Sequence, residues 1–315
     1  MTEPLNLPLI PVADLTAERL RLAAGIRAPR TLAGYASDWK SFTAWCSRAE
    51  QVALPAAVET VLQYLTDLLR QGRRVTTATR HASGIAHAHR AAGLLSPCGS
   101  EVRQLLLGAQ RLRGEQPQQK TPIGLADLRQ MCARLGQDPK GVRNRAVLLV
   151  GFATALRRSN LCALDLADVR FEQEGIIVRV RREKQDQLGR GRDIGVPRGH
   201  AGTCPVAALR AWLGIRGDLA GPLFSRLHGS KPTGQRLHPN RIGAIVKAAV
   251  QSIGLDPAGF AGHSLRAGFV TEAGERGAGE LLIAAQTGHR SMSVLRLYFR
   301  RRNLFKANAC AMLGL

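Results

Sequence analysis

The stretch GHSLRAG, residues 262–268, places a histidine and an arginine three positions apart at the predicted start of a helix. Residues at positions i and i+3 of a helix lie on the same side, so His263 and Arg266 can act on one small anionic group. The permanently charged guanidinium of Arg266 can donate two hydrogen bonds to neighbouring oxygens of such a group. The imidazole of His263 can accept or donate a proton near neutral pH.

Further segments with charged or nucleophilic side chains flank this stretch. ALRRSNL, residues 155–161, comes first, and the register of its apolar residues predicts that Arg157, rather than Arg158, points inward. A polar turn between two predicted strands carries Lys184, the only lysine between Lys140 and Lys231. Downstream of GHSLRAG come the segments GHRS (288–291) and YFR (298–300).

Signatures of several other enzyme classes do not occur in the sequence. It has no GxxxxGK[ST] phosphate loop, no GxSxG nucleophile elbow and no run of carboxylates typical of a two-metal nuclease. The six cysteines are scattered and no two form a CxxC pair, which favours reduced thiols over a zinc site. We therefore expect neither a metal nor a cofactor.

The ordered series of motifs resembles the tyrosine recombinase, or phage integrase, family. In that family an arginine, a hairpin lysine, an HxxR pair, a histidine or tryptophan and a nucleophilic tyrosine follow in this order. The resemblance covers residues 20–305 and implies a two-domain enzyme similar to the Xer and Cre types. It implies six catalytic residues: Arg157, Lys184, His263, Arg266, His289 and Tyr298.

The resemblance also implies a role for each of these residues. The two arginines would stabilise the charge of the scissile phosphate, and His289 would donate a hydrogen bond to a non-bridging oxygen. His263 would accept a proton or donate a hydrogen bond, and Lys184 would protonate the leaving 5′ oxygen. Tyr298, the only tyrosine in the second half of the chain, would be the nucleophile. One departure is Asn160, which stands where the family often has glutamate.

The implied activity is site-specific recombination of double-stranded DNA without metal or ATP. DNA strands would be cleaved through a 3′-phosphotyrosine intermediate and rejoined, so that DNA is integrated, excised or resolved at short inverted-repeat core sites. The implied assembly is a homotetramer on paired sites. Two alternatives stay open: a type IB topoisomerase-like enzyme, which relaxes DNA without pairing sites, and a non-catalytic basic DNA-binding protein.

The expected fold is mainly α, with a small antiparallel β-sheet in the catalytic domain. Apolar residues at three- and four-residue spacing predict an N-terminal helical bundle over residues 1–113. The resemblance implies that this bundle is a core-binding, SAM-like DNA-binding domain. An aromatic stripe through Tyr35, Trp39, Phe42 and Trp45 is interpreted as part of its core. The polar segment 114–122 contains two prolines and predicts a linker. Residues 123–315 form the mixed α+β catalytic domain, with predicted strands at 175–181 and 193–196.

Charge supports a polyanionic partner. The chain has a net charge of +22, which favours binding to nucleic acid. Residues 1–120 carry 15 basic and 9 acidic side chains, net +6, so residues 121–315 carry 30 and 14, net +16. No apolar run is long enough to cross a bilayer and the N-terminus lacks a signal-peptide pattern, so we expect a cytoplasmic protein.

Overall fold

A computed structural model describes three stretches of the chain, residues 27–115, 119–183 and 190–289. The chain separates into two compact units, which divide between residues 117 and 118. Within the described stretches it is mostly helical, with two small antiparallel sheets. The fold class expected from the sequence is therefore confirmed.

Some of the expectations concern residues outside these stretches. The predicted helices at 13–24 and 291–305 lie there. So does part of the predicted linker, because residues 116–118 are outside the described stretches. The domain limits of 1–113 and 123–315 therefore remain a prediction.

In its described residues the first unit consists of four helices: α1 (Pro29–Arg48), α2 (Val58–Arg70), α3 (Val75–Ala91) and α4 (Ser100–Arg113). Pro29 is the first residue of α1, where its fixed φ suits the start of a helix. Phe42 of α1 is fully buried, and its ring meets that of Tyr64 on α2 at an angle of 62°, with centroids 5.0 Å apart. Trp39 and Trp45 pack against the same core. The interpretation of the aromatic stripe as core is confirmed for these three residues.

A buried polar cluster joins α1, α2 and α3. The carboxylate of Asp38 accepts hydrogen bonds from Arg80 Nε at 2.9 Å and Nη2 at 2.8 Å, and its Oδ1 lies 3.2 Å from His81 Nε2. The other ring nitrogen of His81 lies 2.8 Å from the hydroxyl of Tyr64. Desolvation lowers the pKa of His81 and raises that of Tyr64. Buried polar groups need such partners, so the cluster fixes the relative positions of the three helices.

The described residues of the second unit form seven helices and five strands. The helices are α5 (Leu125–Arg134), α6 (Pro139–Thr154), α7 (Arg158–Ala163), α8 (Pro205–Arg216), α9 (Pro239–Ser252), α10 (His263–Glu275) and α11 (Glu280–Thr287). The strands are β1 (Val169–Phe171), β2 (Gly175–Val180), β3 (Arg192–Pro197), β4 (Ser225–His228) and β5 (Lys231–Arg236).

α6 is the central helix of the second unit. It starts at a cap in which the side chain of Asp138 accepts a hydrogen bond from the backbone N–H of Gly141. Val147, Leu148 and Val150 are completely buried, and the helix packs against α8 and α10. A helix that is apolar on most sides must be enclosed by other elements. Its C-terminal end, from which the chain continues to Arg157, is therefore held in the core.

The larger sheet has the strand order β1-β2-β3 and is antiparallel throughout. Ile177 of β2 pairs with Gly195 of β3 in the register of the hairpin. Ile176 and Val178 of β2 face the core, as do Ile194 and Val196 of β3. The two predicted strands are thus confirmed, and residues 184–189 of the connecting turn lie outside the described stretches.

The sequence did not predict β1, the hairpin of β4 and β5, or the short helix α7. β5 reads KPTGQR and all but one of its residues are exposed, so it lacks the apolar alternation that marks a half-buried strand. α7 has only six residues and β1 only three, too few for a periodic pattern. None of the helices in the described stretches is both long and apolar enough to cross a membrane.

Candidate active site

Arg157 lies where the chain turns from α6 into α7. Ala155 ends α6 with a positive φ of 49°, which redirects the backbone, and Arg157 is the cap residue that precedes α7. The side chain of Arg157 is 24% exposed, whereas Arg158 lies at the surface. Arg157 is therefore the inward residue, as its register predicted. Its Nη1 lies 3.6 Å from Glu183 Oε2 and is buried without a hydrogen-bond partner in the described residues.

Arg266 projects from the first turn of α10 and is almost fully buried, at 1% exposure. Its Nη1 donates hydrogen bonds to the backbone oxygens of Ala155 at 2.9 Å and Thr287 at 2.6 Å. A buried guanidinium is stable only when its donors are satisfied, and here main-chain carbonyls supply acceptors. Arg266 consequently connects the end of α6 with the end of α11.

The last glycine of GHSLRAG allows α10 to pack closely against the start of the unit. A Cβ added at Gly268 would lie 2.0 Å from the carbonyl oxygen of Ile123, so any side chain would displace the backbone there. The backbone N–H of Ile123 in turn donates to Ser264 O at 3.2 Å. This contact fixes the rotation of α10 and with it the direction of Arg266.

His289 follows α11 and contacts Arg266 directly. Its Nε2 lies 3.0 Å from Arg266 Nη2, and its Nδ1 lies 2.7 Å from the hydroxyl of Thr287. Since arginine can only donate, Nε2 is the acceptor and the neutral ring carries its proton on Nδ1. Desolvation lowers the pKa of His289 to about 4, with a further contribution from the positive charges of Arg266 and Arg157. For Nε2 to donate to a phosphate oxygen, as the resemblance implies, it would have to carry a proton, in an imidazolium ion or in the other tautomer, and its contact with Arg266 would have to open.

His263 opens α10 and is open to solvent on one side. Its pKa is nevertheless lowered, first by desolvation of the ring and then by the positive charges of Arg266 and Arg157. The arrangement favours a neutral imidazole, which is the form that can accept a proton.

Glu183 and Arg192 also contact residues of the site. The resemblance implied that Arg192, as a hairpin arginine, would contact DNA phosphates or the minor groove, and it implied no role for Glu183. Glu183 follows β2, its side chain is 7% exposed, and its Oε1 accepts from Arg192 Nη2 at 3.0 Å while its Oε2 faces Arg157. Arg192, the first residue of β3, also donates from Nη1 to Ala285 O at 3.1 Å and to Gln286 O at 3.0 Å. The two residues thus connect the base of the β2–β3 hairpin with both Arg157 and the end of α11.

Gly288 is required by the same contacts. It ends α11 with φ of 70°, a conformation that favours glycine. A Cβ at this position would also lie 2.6 Å from Glu183 Oε2 and 3.0 Å from Arg192 Nε. The glycine of the GHRS segment is therefore explained both by its backbone and by the ion pair packed against it.

Four of the six predicted site residues lie in the described stretches: Arg157, His263, Arg266 and His289. The geometry gives a direct contact between Arg266 and His289, and both histidines lie in the electrostatic field of the two arginines. Lys184 and Tyr298 lie outside the described residues. In the described part of the chain, no group of three or more His, Cys, Asp or Glu side chains could hold a metal ion.

Comparison with known proteins identifies the family of the chain. The profile of the phage integrase family matches residues 124–303. The integrase/recombinase XerD homolog of Selenomonas ruminantium is 36% identical over 307 residues, which cover 93% of this chain and 89% of that protein. The tyrosine recombinase XerC of Corynebacterium glutamicum is 28% identical and covers 90% of this chain and 85% of its own.

The solved structure of the Tn1549 transposon integrase, in complex with a circular intermediate DNA, has the same fold. It superposes with a TM-score of 0.65 at 17% identity, over 96% of this chain and 99% of that one. The chain therefore belongs to the phage integrase family and is a site-specific tyrosine recombinase, an enzyme that breaks and rejoins DNA strands.

Proposed function

We propose that this recombinase cleaves double-stranded DNA through a covalent 3′-phosphotyrosine bond to Tyr298, with Arg157, Lys184, His263, Arg266 and His289 as the other catalytic residues. It works on short inverted-repeat core sites in the cytoplasm, as a homotetramer that pairs two sites. The outcome is integration, excision or resolution of DNA. Neither a metal ion nor ATP takes part in the chemical step.

The observation that carries this proposal is the convergence of Arg157, Arg266 and His289 from three separate segments. Arg157 follows α6, Arg266 belongs to α10 and His289 follows α11, and the contacts of Arg266 join the three segments. Negative charge builds up on a phosphodiester as it is attacked, and fixed cationic donors stabilise that charge. The convergence of these side chains therefore supports phosphoryl transfer as the reaction.

The remaining residues carry out the bond changes and proton transfers of cleavage and rejoining. The hydroxyl oxygen of Tyr298 attacks phosphorus, and its proton passes to His263, the neutral base beside the arginines. The bond between phosphorus and the 5′ oxygen breaks, and Lys184 gives that oxygen a proton. Rejoining is the reverse: a 5′ hydroxyl attacks the phosphotyrosine and releases Tyr298. Because the tyrosine ester conserves the phosphodiester bond, rejoining needs no external energy source.

Charge and the family relationship support DNA as the partner. Residues 121–315, which contain the site, have a net charge of +16. A strong positive field attracts and orients nucleic acid. The related transposon integrase was solved in complex with DNA. A recombinase should require two DNA sites in one reaction. A topoisomerase-like enzyme should instead relax supercoiled plasmid without pairing sites.

The nucleophile is tested by Tyr298→Phe. The DNA is a duplex selected from a random-sequence pool for binding to the full chain, prepared as a set with single nicks at successive central positions. Near the cleaved bond a nick lets the short product diffuse away and traps the covalent complex. We expect wild type to form a protein–DNA adduct on a denaturing gel and Tyr298→Phe to bind the duplex without forming one.

Tyr35→Phe is the matched control, because Tyr35 belongs to the first unit, where its ring lies beside that of His87, and has no role in the proposed chemistry. It should form the adduct as wild type does. An adduct formed by Tyr298→Phe, or lost in Tyr35→Phe, would contradict the assignment of the nucleophile.

A further inference from the structure

A second cationic site lies in the same unit as the proposed active site. It is a cavity of about 530 Å³ between the start of α6, the β4–β5 hairpin and the start of α9. Its polar lining consists of Lys140, Arg143, Arg226, His238 and Arg241, and no carboxylate lines it. The described residues contain no ion pair that would neutralise any of its three arginines or its lysine. The cavity is therefore a concentration of positive charge with room for an anionic group.

Arg143 at the base of this cavity is buried, with 7% exposure. Its Nη2 donates to Asn144 Oδ1 at 2.9 Å, and its Nη1 donates to Ser225 O at 3.3 Å. Both acceptors are uncharged. Desolvation lowers the pKa of Arg143, and the nearby charge of Arg241 lowers it further. A buried cation that has no anionic partner is costly, and an anion in the cavity would offset that cost.

The start of α9 adds further donors. His238 caps this 14-residue helix, and its Nδ1 accepts from the backbone N–H of Asn240 at 3.2 Å. The neutral ring therefore carries its proton on Nε2, which is free to act as a donor towards a ligand. The helix dipole also places partial positive charge at this end.

The first turn of α9, which lines the cavity, also contacts the segment that carries His263. Ile242, the residue after Arg241, lies against Gly262: a Cβ added at Gly262 would be 3.4 Å from Ile242 Cγ2 and 3.3 Å from Arg158 Cβ. Gly262 immediately precedes His263, and Arg158 immediately follows Arg157. These contacts link the helix turn that lines the cavity to the neighbours of His263 and Arg157.

We propose that the cavity binds a second, non-scissile phosphate of the DNA duplex and so sets which phosphate of the strand lies at the cleavage position. This inference rests on the proposed function of the neighbouring site. Arg143, Arg241 and His238 bind the phosphate oxygens from the protein side, and the exposed Lys140 and Arg226 lie at the rim. The class of ligand is a phosphodiester.

The test compares Arg226→Ala and Arg241→Ala with Lys247→Ala. All three residues are exposed and each variant removes one positive charge. Lys247 shares α9 with Arg241 but does not line the cavity. The probe is the selected duplex, ethylated at random on its phosphates, so that the phosphates whose modification blocks binding can be mapped for each variant.

For wild type we expect interference at the scissile phosphate and at a discrete phosphate away from it. Arg226→Ala and Arg241→Ala should lose the second position, keep the first, and reduce the slope of log affinity against log salt by about 1. Lys247→Ala should keep both positions. Unchanged interference patterns in both cavity variants, whatever their affinity, would overturn the proposal, because the charges would then act only as a diffuse field.

A free anion is the competing source of the same chemistry. If the cavity is a site for a soluble phosphate compound, inorganic phosphate will raise the Tm of wild type, but not of Arg241→Ala, at constant ionic strength, and the interference patterns will not differ. That outcome would also overturn the proposal. Failure of the proposed function is recognised separately, since wild type would then form no Tyr298 adduct even though the cavity variants changed the interference pattern.

Discussion

The two arginines of the site lie in contrasting surroundings. Arg266 is 1% exposed, and it donates to two backbone carbonyls and contacts His289. Arg157 is 24% exposed in its side chain, and its Nη1 faces Glu183 at 3.6 Å but has no hydrogen-bond partner in the described residues. One guanidinium is held by main-chain atoms, and the other retains a donor that has no acceptor among the described residues.

Arg266 and Arg157 therefore perform different tasks, although they are the same type of residue. The carbonyl oxygens of Ala155 and Thr287 belong to the ends of two helices, so Arg266 contributes to the structure of the unit as well as to its charge. An unsatisfied buried donor costs free energy, and at Arg157 a phosphate oxygen would supply the missing acceptor. We therefore expect the loss of Arg266 to affect folding and chemistry, and the loss of Arg157 to affect chemistry alone.

Neither arginine can release a proton to the leaving group at neutral pH, so another residue must do so. The variant Lys184→Ala tests whether that residue is Lys184 and gives the largest expected effect. If Lys184 protonates the 5′ oxygen, this variant should slow cleavage of ordinary DNA by about 10²–10⁴-fold. A substrate with sulfur at the 5′-bridging position needs no such proton, because a thiolate leaves readily. Single-turnover cleavage of this substrate should be restored in Lys184→Ala and should remain slow in Arg157→Ala.

Lys247→Ala, which changes an exposed lysine of α9, is the control and should cleave both substrates at the wild-type rate. If Lys184→Ala is equally slow on the oxygen and sulfur substrates, Lys184 binds DNA without acting as the acid. His263 would then be the next residue to test.

The second prediction compares the two arginines directly through Arg157→Met and Arg266→Met. Both should lower the rate of single-turnover cleavage by about 10²–10³-fold, the usual effect of removing a donor that stabilises transition-state charge. Only Arg266→Met should also lower the free energy of unfolding, by about 1–3 kcal/mol, because it leaves buried carbonyls without donors. Thermal unfolding measured beside the cleavage assay checks this, and equal destabilisation of both variants would contradict the division of tasks.

Local patterns were sufficient to predict the parts of the fold that depend on local physics. The helices near Phe42 and Tyr64 were recognised from apolar spacing, because an amphipathic helix shows its buried face directly in the sequence. The β2–β3 hairpin was recognised in the same way from its β-branched run. Arg157, His263, Arg266 and His289 were assigned because the order of their short motifs resembles that of the family, a comparison that requires no knowledge of tertiary contacts.

Contacts between distant segments could not be predicted. Glu183 had no predicted role and Arg192 was expected to contact DNA; only the folded structure brings them to Arg157 and to the last carbonyls of α11. Likewise, the tautomer of His289 depends on a hydrogen bond from Arg266, 23 positions away in the sequence. Asn160, the departure from the family, has a buried Nδ2 without a hydrogen-bond partner in the described residues, for which the structure offers no explanation.

Glu183→Gln tests whether the position of Arg157 depends on Glu183, its only carboxylate neighbour in the described residues. The amide keeps the size of the side chain but removes its charge, so Arg157 and Arg192 should be held less firmly. We expect cleavage to slow by about tenfold, corresponding to ~1.4 kcal/mol. The exposed Glu174, in the turn before β2, provides the matched control Glu174→Gln, which should leave the rate unchanged.

A double-mutant cycle with Arg157→Met shows whether Glu183 acts through Arg157. In that background Glu183→Gln should cause little further loss. Faster cleavage by Glu183→Gln would have the opposite meaning, namely that Glu183 competes with the phosphate for Arg157. A full further tenfold loss in the double variant would contradict the positioning role.

The smallest predicted effect is on the pH dependence of protein stability, to which His289, the neighbour of Arg266, contributes. The pKa of His289 is about 4 in the folded protein, below its usual value of 6.5. Between these values the unfolded chain binds a proton that the folded chain does not, so the contribution of His289 to stability rises with pH across this window and is lost as pH falls through it. Because the ring is only partly buried, we discount the full shift and expect roughly 1 kcal/mol, or a Tm change of about 2–4 °C.

Scanning calorimetry of the full chain should show that His289→Gln weakens this pH dependence, whereas His200→Gln, at an exposed site of the same unit, should not. Identical pH dependence in wild type and His289→Gln would contradict the lowered pKa of His289 and its role as a neutral partner of Arg266.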